Sequence, residues 1–157
     1  MDKIKVLINE ATLQNRIDEI AEAIMKDYQD KSLTFICILK GSVFFSVELA
    51  KRIKNNITFE FIRVASYGAN VISSGKVDLL IELEENLEGH DVIVIEDIID
   101  TGHTLSYILE YLRSKNPKSL KLCALLDKVE RREIPVKVDY VGFEIPNKFV
   151  VRIWIGL

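Results

Sequence analysis

Between Val92 and Leu105 the chain reads VIVIEDIIDTGHTL, and this stretch limits the possible folds more than any other. The apolar run VIVI is too short for a helix and fits a strand buried on both faces, ending at Ile95. Two adjacent carboxylates, Glu96 and Asp97, follow it, and Ile98 and Ile99 anchor the turn beyond them. Asp100, Thr101, Gly102, His103 and Thr104 then lead into a helix. In open α/β sheets, ligands bind at this carboxyl edge of the strands. Gly102 permits a tight turn, and Thr101 and Thr104 offer hydroxyls. The first amides of a helix have no partner within it. Together these features make a cradle for a phosphate monoester.

Two acids beside a phosphate cradle would repel the phosphate unless they face another part of the ligand. Carboxylates hydrogen-bond well to vicinal hydroxyls and approach divalent cations. A ribose 5-phosphate carries hydroxyls and a monoester about one sugar apart, so it suits the segment better than free phosphate or a nucleoside triphosphate. The GxxxxGK[ST] pattern of a P-loop is absent. An acidic pocket of the response-regulator kind begins in a similar way, so the residues alone leave both readings open.

The rest of the chain extends the same architecture. Ala11–Tyr28 has apolar residues at helical spacing, with Thr12 or Asn15 as a cap, and Val43–Ile53 is a second amphipathic helix. Leu33–Leu39 is a continuous apolar run that meets Lys40 and Gly41, and Ile57–Val64 alternates as a strand does. Ser66–Lys76 is rich in Gly and Ser and reads as a loop before strand character resumes at Val77–Leu83. Glu82–Asp91 reads as a solvated acidic turn. Thr104–Lys115 is a third helix, and Leu120–Leu126 and Val138–Phe143 are two more short strands. Strands apolar on both faces, alternating with helices, predict an α/β fold with a mostly parallel sheet flanked by helices.

A length of 157 residues with 48% hydrophobic content fits one domain, residues 1–157, with a sizeable core. The net charge of −3 gives no reason to expect nucleic acid or membrane as a partner. Cys37 and Cys123 sit in apolar runs without metal-ligand spacing and read as buried thiols. Without a long apolar run or a signal-peptide layout, a cytoplasmic location is expected.

The segment VIVIEDIIDTGHTL closely resembles the phosphoribosyl-pyrophosphate motif of the type I phosphoribosyltransferases, in the wording of their hypoxanthine-guanine branch. Four further segments resemble that family in order: LKGS at Leu39–Ser42, SYG at Ser66–Gly68, LLDK at Leu125–Lys128 and VDYVGFEIPNKFVV at Val138–Val151. The resemblance implies the type I phosphoribosyltransferase fold, with a small hood from the terminal segments. The implied activity is Mg²⁺-dependent transfer of a 5-phosphoribosyl group from phosphoribosyl pyrophosphate to hypoxanthine or guanine.

It also implies roles. Glu96 and Asp97 would hold the ribose hydroxyls and help seat Mg²⁺. Thr101, Gly102, His103 and Thr104 would hold the 5-phosphate, with His103 offering its backbone amide. Asp100 would be the base acting at N7 of the purine, a role suited to burial beside its acidic neighbours. Lys128 would donate to the 6-oxo group, Phe149 would stack on the purine, and the backbone of Val150 would read its edge. Lys40 and Gly41 would bind pyrophosphate at a non-proline cis peptide. Ser66 and Tyr67 would sit on a mobile loop. A homodimer or homotetramer is the implied assembly.

After Val151 the chain departs from the family. It reads Arg152-Ile153-Trp154-Ile155-Gly156-Leu157 where a GYGLDY-like segment is expected. One inserted base before codons for that segment shifts the frame to give RIWIGL, and then a stop if the next family residue is Asp or Glu, so the ending reads as frameshifted, with a naturally short variant as the other reading. The missing tail would carry an aspartate and an arginine, which makes a nucleotide-binding chain with impaired turnover one alternative. An RNA-binding, nucleotide-sensing regulator of the same fold is another. It would need a basic face, whereas the cations here are scattered apart from Lys128, Arg131 and Arg132.

Overall fold

The computed structural model describes residues 8–65, 78–83 and 86–147. Its elements are α1 (Glu10–Asp27), β1 (Leu33–Ile38), α2 (Val43–Lys51), β2 (Ile57–Val64), β3 (Leu79–Ile81), β4 (Asp91–Ile99), α3 (His103–Arg113), β5 (Ser119–Asp127), a single 3-10 turn (Val129–Arg131) and β6 (Tyr140–Glu144). The strands form one sheet in the order β3-β2-β1-β4-β5-β6. β2, β1, β4, β5 and β6 pair in parallel, and β3 joins β2 antiparallel at the edge. The expected α/β class and mostly parallel sheet are therefore the observed ones.

The unbroken apolar runs have a structural cause. β1 is buried along its whole length because helices cover both faces of the sheet. Leu33 and Phe35 enter the core with Ile17, Ile24 and Phe45 from α1 and α2, while Ile36 and Ile38 enter the opposite core with Ile108 and Leu112 from α3. β4 divides likewise, with Ile93 and Ile95 on the first side and Val92, Val94 and Ile99 on the second. Burying such side chains contributes about 1.5–3 kcal/mol each, which makes this two-sided core the main source of stability.

Three local expectations need correction. Asn9 caps α1, its side chain accepting from Thr12 N at 2.8 Å, so neither Thr12 nor Asn15 is the cap. β4 does not stop at Ile95. It runs on to Ile99 because β5 lies beside it far enough to pair Glu96 with Ala124 and Ile99 with Asp127. Asp91 is buried rather than solvated, and its carboxylate accepts from Ser119 Oγ at 2.6 Å.

Among the described residues, no helix is long and apolar enough to cross a membrane. Residues 1–7 and 148–157, from which a hood was expected, lie outside the described residues, as do Ser66, Tyr67, Phe149 and Val150.

Candidate active site

The sheet order reverses direction between β1 and β4: the chain winds from β1 outward to β2 on one side and from β4 outward to β5 and β6 on the other. A crevice at the carboxyl end of such a switch is where open α/β sheets bind ligands. The segments singled out in the sequence meet there. Lys40 and Gly41 follow β1, Glu96 and Asp97 lie in the last part of β4, and Lys128 follows β5.

The Leu39–Lys40 peptide is cis, as the resemblance implies. Ser42, fully buried, fastens the loop after β1 by donating from Oγ to the Ile38 carbonyl at 2.6 Å. Gly41 faces Asp97, and a Cβ placed on it would stand 3.4 Å from Asp97 Oδ2.

The acid pair is partly buried, and this governs its charge. Burial pushes the Glu96 carboxyl up to about 8; the Asp97 amide, donating to Glu96 Oε1 at 2.7 Å, pulls it back in part, and the Asp97 charge raises it further. Burial pushes Asp97 up to about 7. Asp97 Oδ1 is buried with no hydrogen-bond partner among the described residues. Such a group costs free energy unless a ligand hydroxyl, a cation or water meets it.

The turn between β4 and α3 takes its shape from Gly102. Gly102 caps α3 at φ +93° and makes no side-chain cap. The first helical hydrogen bond runs from Ser106 N to the Gly102 carbonyl at 2.9 Å, so the amides of His103, Thr104 and Leu105 precede the ladder. With the positive end of the α3 dipole, these amides suit an anion.

The segment after Lys128 packs over this turn. The Glu133 and Ile134 amides donate to the Thr101 carbonyl at 2.9 and 3.2 Å. His103 Nε2 lies 2.9 Å from Glu133 Oε2. Arg132 Nη1 donates to the Asp100 carbonyl at 2.7 Å, and its Nη2 pairs with the buried Asp127 carboxylate. Arg131 Nε donates to Asp100 Oδ1 at 2.8 Å.

Asp100 differs from expectation: its side chain is about half exposed, at 51%, and is ion-paired. The burial expected there is found instead at Glu96 and Asp97, because β4 continues through the acids and emerges only at Asp100. Asp127, Arg131 and Arg132 escaped the sequence reading as site residues. The available signal was the placement of ERRE (Glu130 to Glu133) one residue behind LLDK, which puts two guanidinium groups beside two acids. Among the described residues, no group of three or more His, Cys, Asp or Glu side chains forms a cage for a metal.

This sheet, with an acid pair and an uncapped helix N-terminus at its switch point, matches the family described as phosphoribosyl transferase domain over residues 7–154. The chain belongs to that family. It is 42% identical over 147 residues to the hypoxanthine-guanine phosphoribosyltransferase of Bacillus subtilis (strain 168), covering 94% of this chain and 82% of that protein. A crystal structure of a hypoxanthine-guanine phosphoribosyltransferase from Bacillus anthracis, with HEPES in its active site, matches at TM-score 0.89 and 42% identity over 94% of this chain and 87% of that one. A hypoxanthine phosphoribosyl transferase from Trypanosoma cruzi, studied for the role of its C-terminal region in oligomeric state and activity, matches at TM-score 0.87 and 39% identity over 94% of this chain and 80% of that one. Within the family, the chain falls in the hypoxanthine-guanine branch.

Proposed function

We propose that this chain transfers the 5-phosphoribosyl group of phosphoribosyl pyrophosphate to N9 of hypoxanthine or guanine, giving IMP or GMP and pyrophosphate, in purine salvage. One observation carries the reading. A partly buried acid pair and an open helix N-terminus lie on one strand–turn–helix unit at the β1/β4 switch, where a ribose 5-phosphate would meet both.

In this reading the amides from His103 onward and the hydroxyls of Thr101 and Thr104 hold the 5-phosphate, with Gly102 shaping the turn. Glu96 and Asp97 accept from the ribose hydroxyls. Lys40 and Gly41 hold pyrophosphate, and Phe149 and Val150 hold the purine. The C1′–O bond to pyrophosphate breaks with its electron pair leaving on oxygen, and the N9 lone pair forms the new bond to C1′. Asp100 takes the proton from N7. Lys128 donates to the 6-oxo group, which selects hypoxanthine and guanine because adenine carries a donor there.

The unpartnered Asp97 Oδ1 beside a second carboxylate fits a hard divalent cation that draws its remaining ligands from substrate and water. Glu96 and Asp97 would hold Mg²⁺, which when bound neutralises charge on the leaving pyrophosphate. A cytoplasmic homodimer or homotetramer belongs to the same reading.

The test is a phosphoribosyl-pyrophosphate-dependent assay with hypoxanthine, guanine, xanthine and adenine, each with and without Mg²⁺. Metal-dependent formation of IMP and GMP, with little AMP, is expected. Absence of any mononucleotide product, with nucleotide binding also absent, rejects the reading.

A further inference from the structure

We propose that Arg131 is a positioning residue for Asp100, fixing the carboxylate in the orientation in which it meets the purine. The inference rests on the reading of Asp100 as the group that takes the N7 proton.

A side chain as exposed as Asp100 would, by itself, sample several staggered rotamers. Here it is held at two points by successive arginines. Arg132 holds the main chain, donating to the Asp100 carbonyl at 2.7 Å, and is itself anchored to buried Asp127. Arg131 holds the carboxylate through Oδ1 at 2.8 Å. The second oxygen, Oδ2, has no donor among the described residues, so this half-exposed carboxylate keeps one oxygen for a ligand.

The origin of the guanidinium is also fixed. Arg131 closes the 3-10 turn, its amide donating to the Lys128 carbonyl at 3.0 Å, while the Lys128 amide donates to the Ile99 carbonyl at 3.0 Å. Asp100, Arg131 and Lys128 thus belong to one hydrogen-bonded circuit, so the group that would take the proton and the lysine that would read the 6-oxo group are placed relative to each other.

Stability does not account for the contact. The Arg131–Asp100 pair is 44% and 51% exposed, and ion pairs of that kind contribute about 0–1 kcal/mol. Orientation is what the contact supplies, and in catalysis a displacement of about 1 Å can cost on the order of a hundredfold in rate.

The experiment is a double-mutant cycle of Arg131→Met and Asp100→Asn in the full chain, read as single-turnover rates with phosphoribosyl pyrophosphate and guanine so that product release does not mask the chemical step. Arg131→Met is expected to lower the rate about tenfold, within the hundredfold or more expected of Asp100→Asn. Phosphoribosyl pyrophosphate affinity and melting temperature should stay near those of the parent, and Arg131→Lys should recover part of the rate. In the Asp100→Asn background, Arg131→Met should have no further effect. An unchanged rate in Arg131→Met, or the same loss with and without Asp100, overturns the proposal. Near-full activity in Asp100→Asn alone instead removes the base reading, and the inference falls with it.

Discussion

Gly41 and Asp97 face each other across the β1/β4 switch, with 3.4 Å between the place of a Gly41 Cβ and Asp97 Oδ2. The loop that would hold pyrophosphate and the acid that would hold ribose are therefore separated by little more than one atom's contact distance. A β-branched side chain at position 41 projects into the space where the bond between sugar and leaving group would lie. Gly41 is exposed and is not among the described glycines with positive φ, so folding should tolerate the change. Gly41→Val should raise KM for phosphoribosyl pyrophosphate about tenfold or more, by loss of uniform binding, with melting temperature nearly unchanged. Steady-state kinetics beside a thermal melt checks this; an unaltered KM would place pyrophosphate elsewhere.

Gly102 is constrained from two directions. Its φ of +93° disfavours any other residue, and a Cβ there would lie 2.6 Å from the Ile134 carbonyl oxygen. Gly102→Ala must move either the turn before α3 or the segment packed on it. The expected cost is about 1–3 kcal/mol in urea unfolding. GMP affinity should fall as well, because the amides from His103 onward shift with the turn. A variant as stable as the parent, with GMP affinity intact, would show that the turn is not held by this contact.

The fold was legible because a two-sided core demands continuous apolar strands, and the runs at Leu33 and Val92 state that demand directly. The turn before α3 was legible for a related reason: Gly102 answers to a backbone angle that few other residues adopt. Asp100 shows where such reading stops. Three residues beyond Asp97, it looks equally enclosed in sequence, yet it is the point where β4 ends and the chain turns outward. Its partner Arg131 lies on the far side of a helix and a strand, and no local pattern announces a contact between residues so distant in sequence. Ending β4 at Ile95 failed for the same reason, since pairing with β5, rather than the polarity of Glu96 and Asp97, decides how far the strand runs.

Lys128 gives a prediction about choice of base. A lysine has donors and no acceptor, so it suits the 6-oxo group of hypoxanthine and leaves a donor unmet against the amine of adenine. Its backbone is fixed by the bond to Ile99, so a change of side chain leaves the 3-10 turn in place. Lys128→Ala should lower kcat/KM for hypoxanthine by about 10–100-fold, corresponding to roughly 1–3 kcal/mol for one charged hydrogen bond. The low rate with adenine should change little, so the ratio between the two bases should collapse. Competition assays with both bases measure that ratio, and a preserved ratio would move recognition of the 6-position to another residue.

The acid pair makes stability depend on pH, and the sign follows from its burial. Burial holds Glu96 near 8 in the folded chain, whereas an unfolded glutamate titrates near its ordinary value of 4.5. Between those pH values the folded state keeps a proton that the unfolded state has released, so stability falls as pH rises. Glu96 therefore opposes folding most above pH 8 and least below about 4.5, the reverse of a salt-bridged carboxylate. In metal-free protein, Glu96→Gln removes the titration, and its advantage over the parent should grow from near zero at pH 5 to about 1–3 kcal/mol at pH 8.5, an amount discounted for the partial exposure of the site. The amide should meanwhile weaken GMP binding, because it cannot supply two carboxylate acceptors to the ribose hydroxyls. Urea unfolding at pH 5, 7 and 8.5 resolves the two slopes. Parallel curves for parent and variant would show that Glu96 is solvated well enough to ionise freely, and the account of a ligand relieving a buried pair of acids would fail with it.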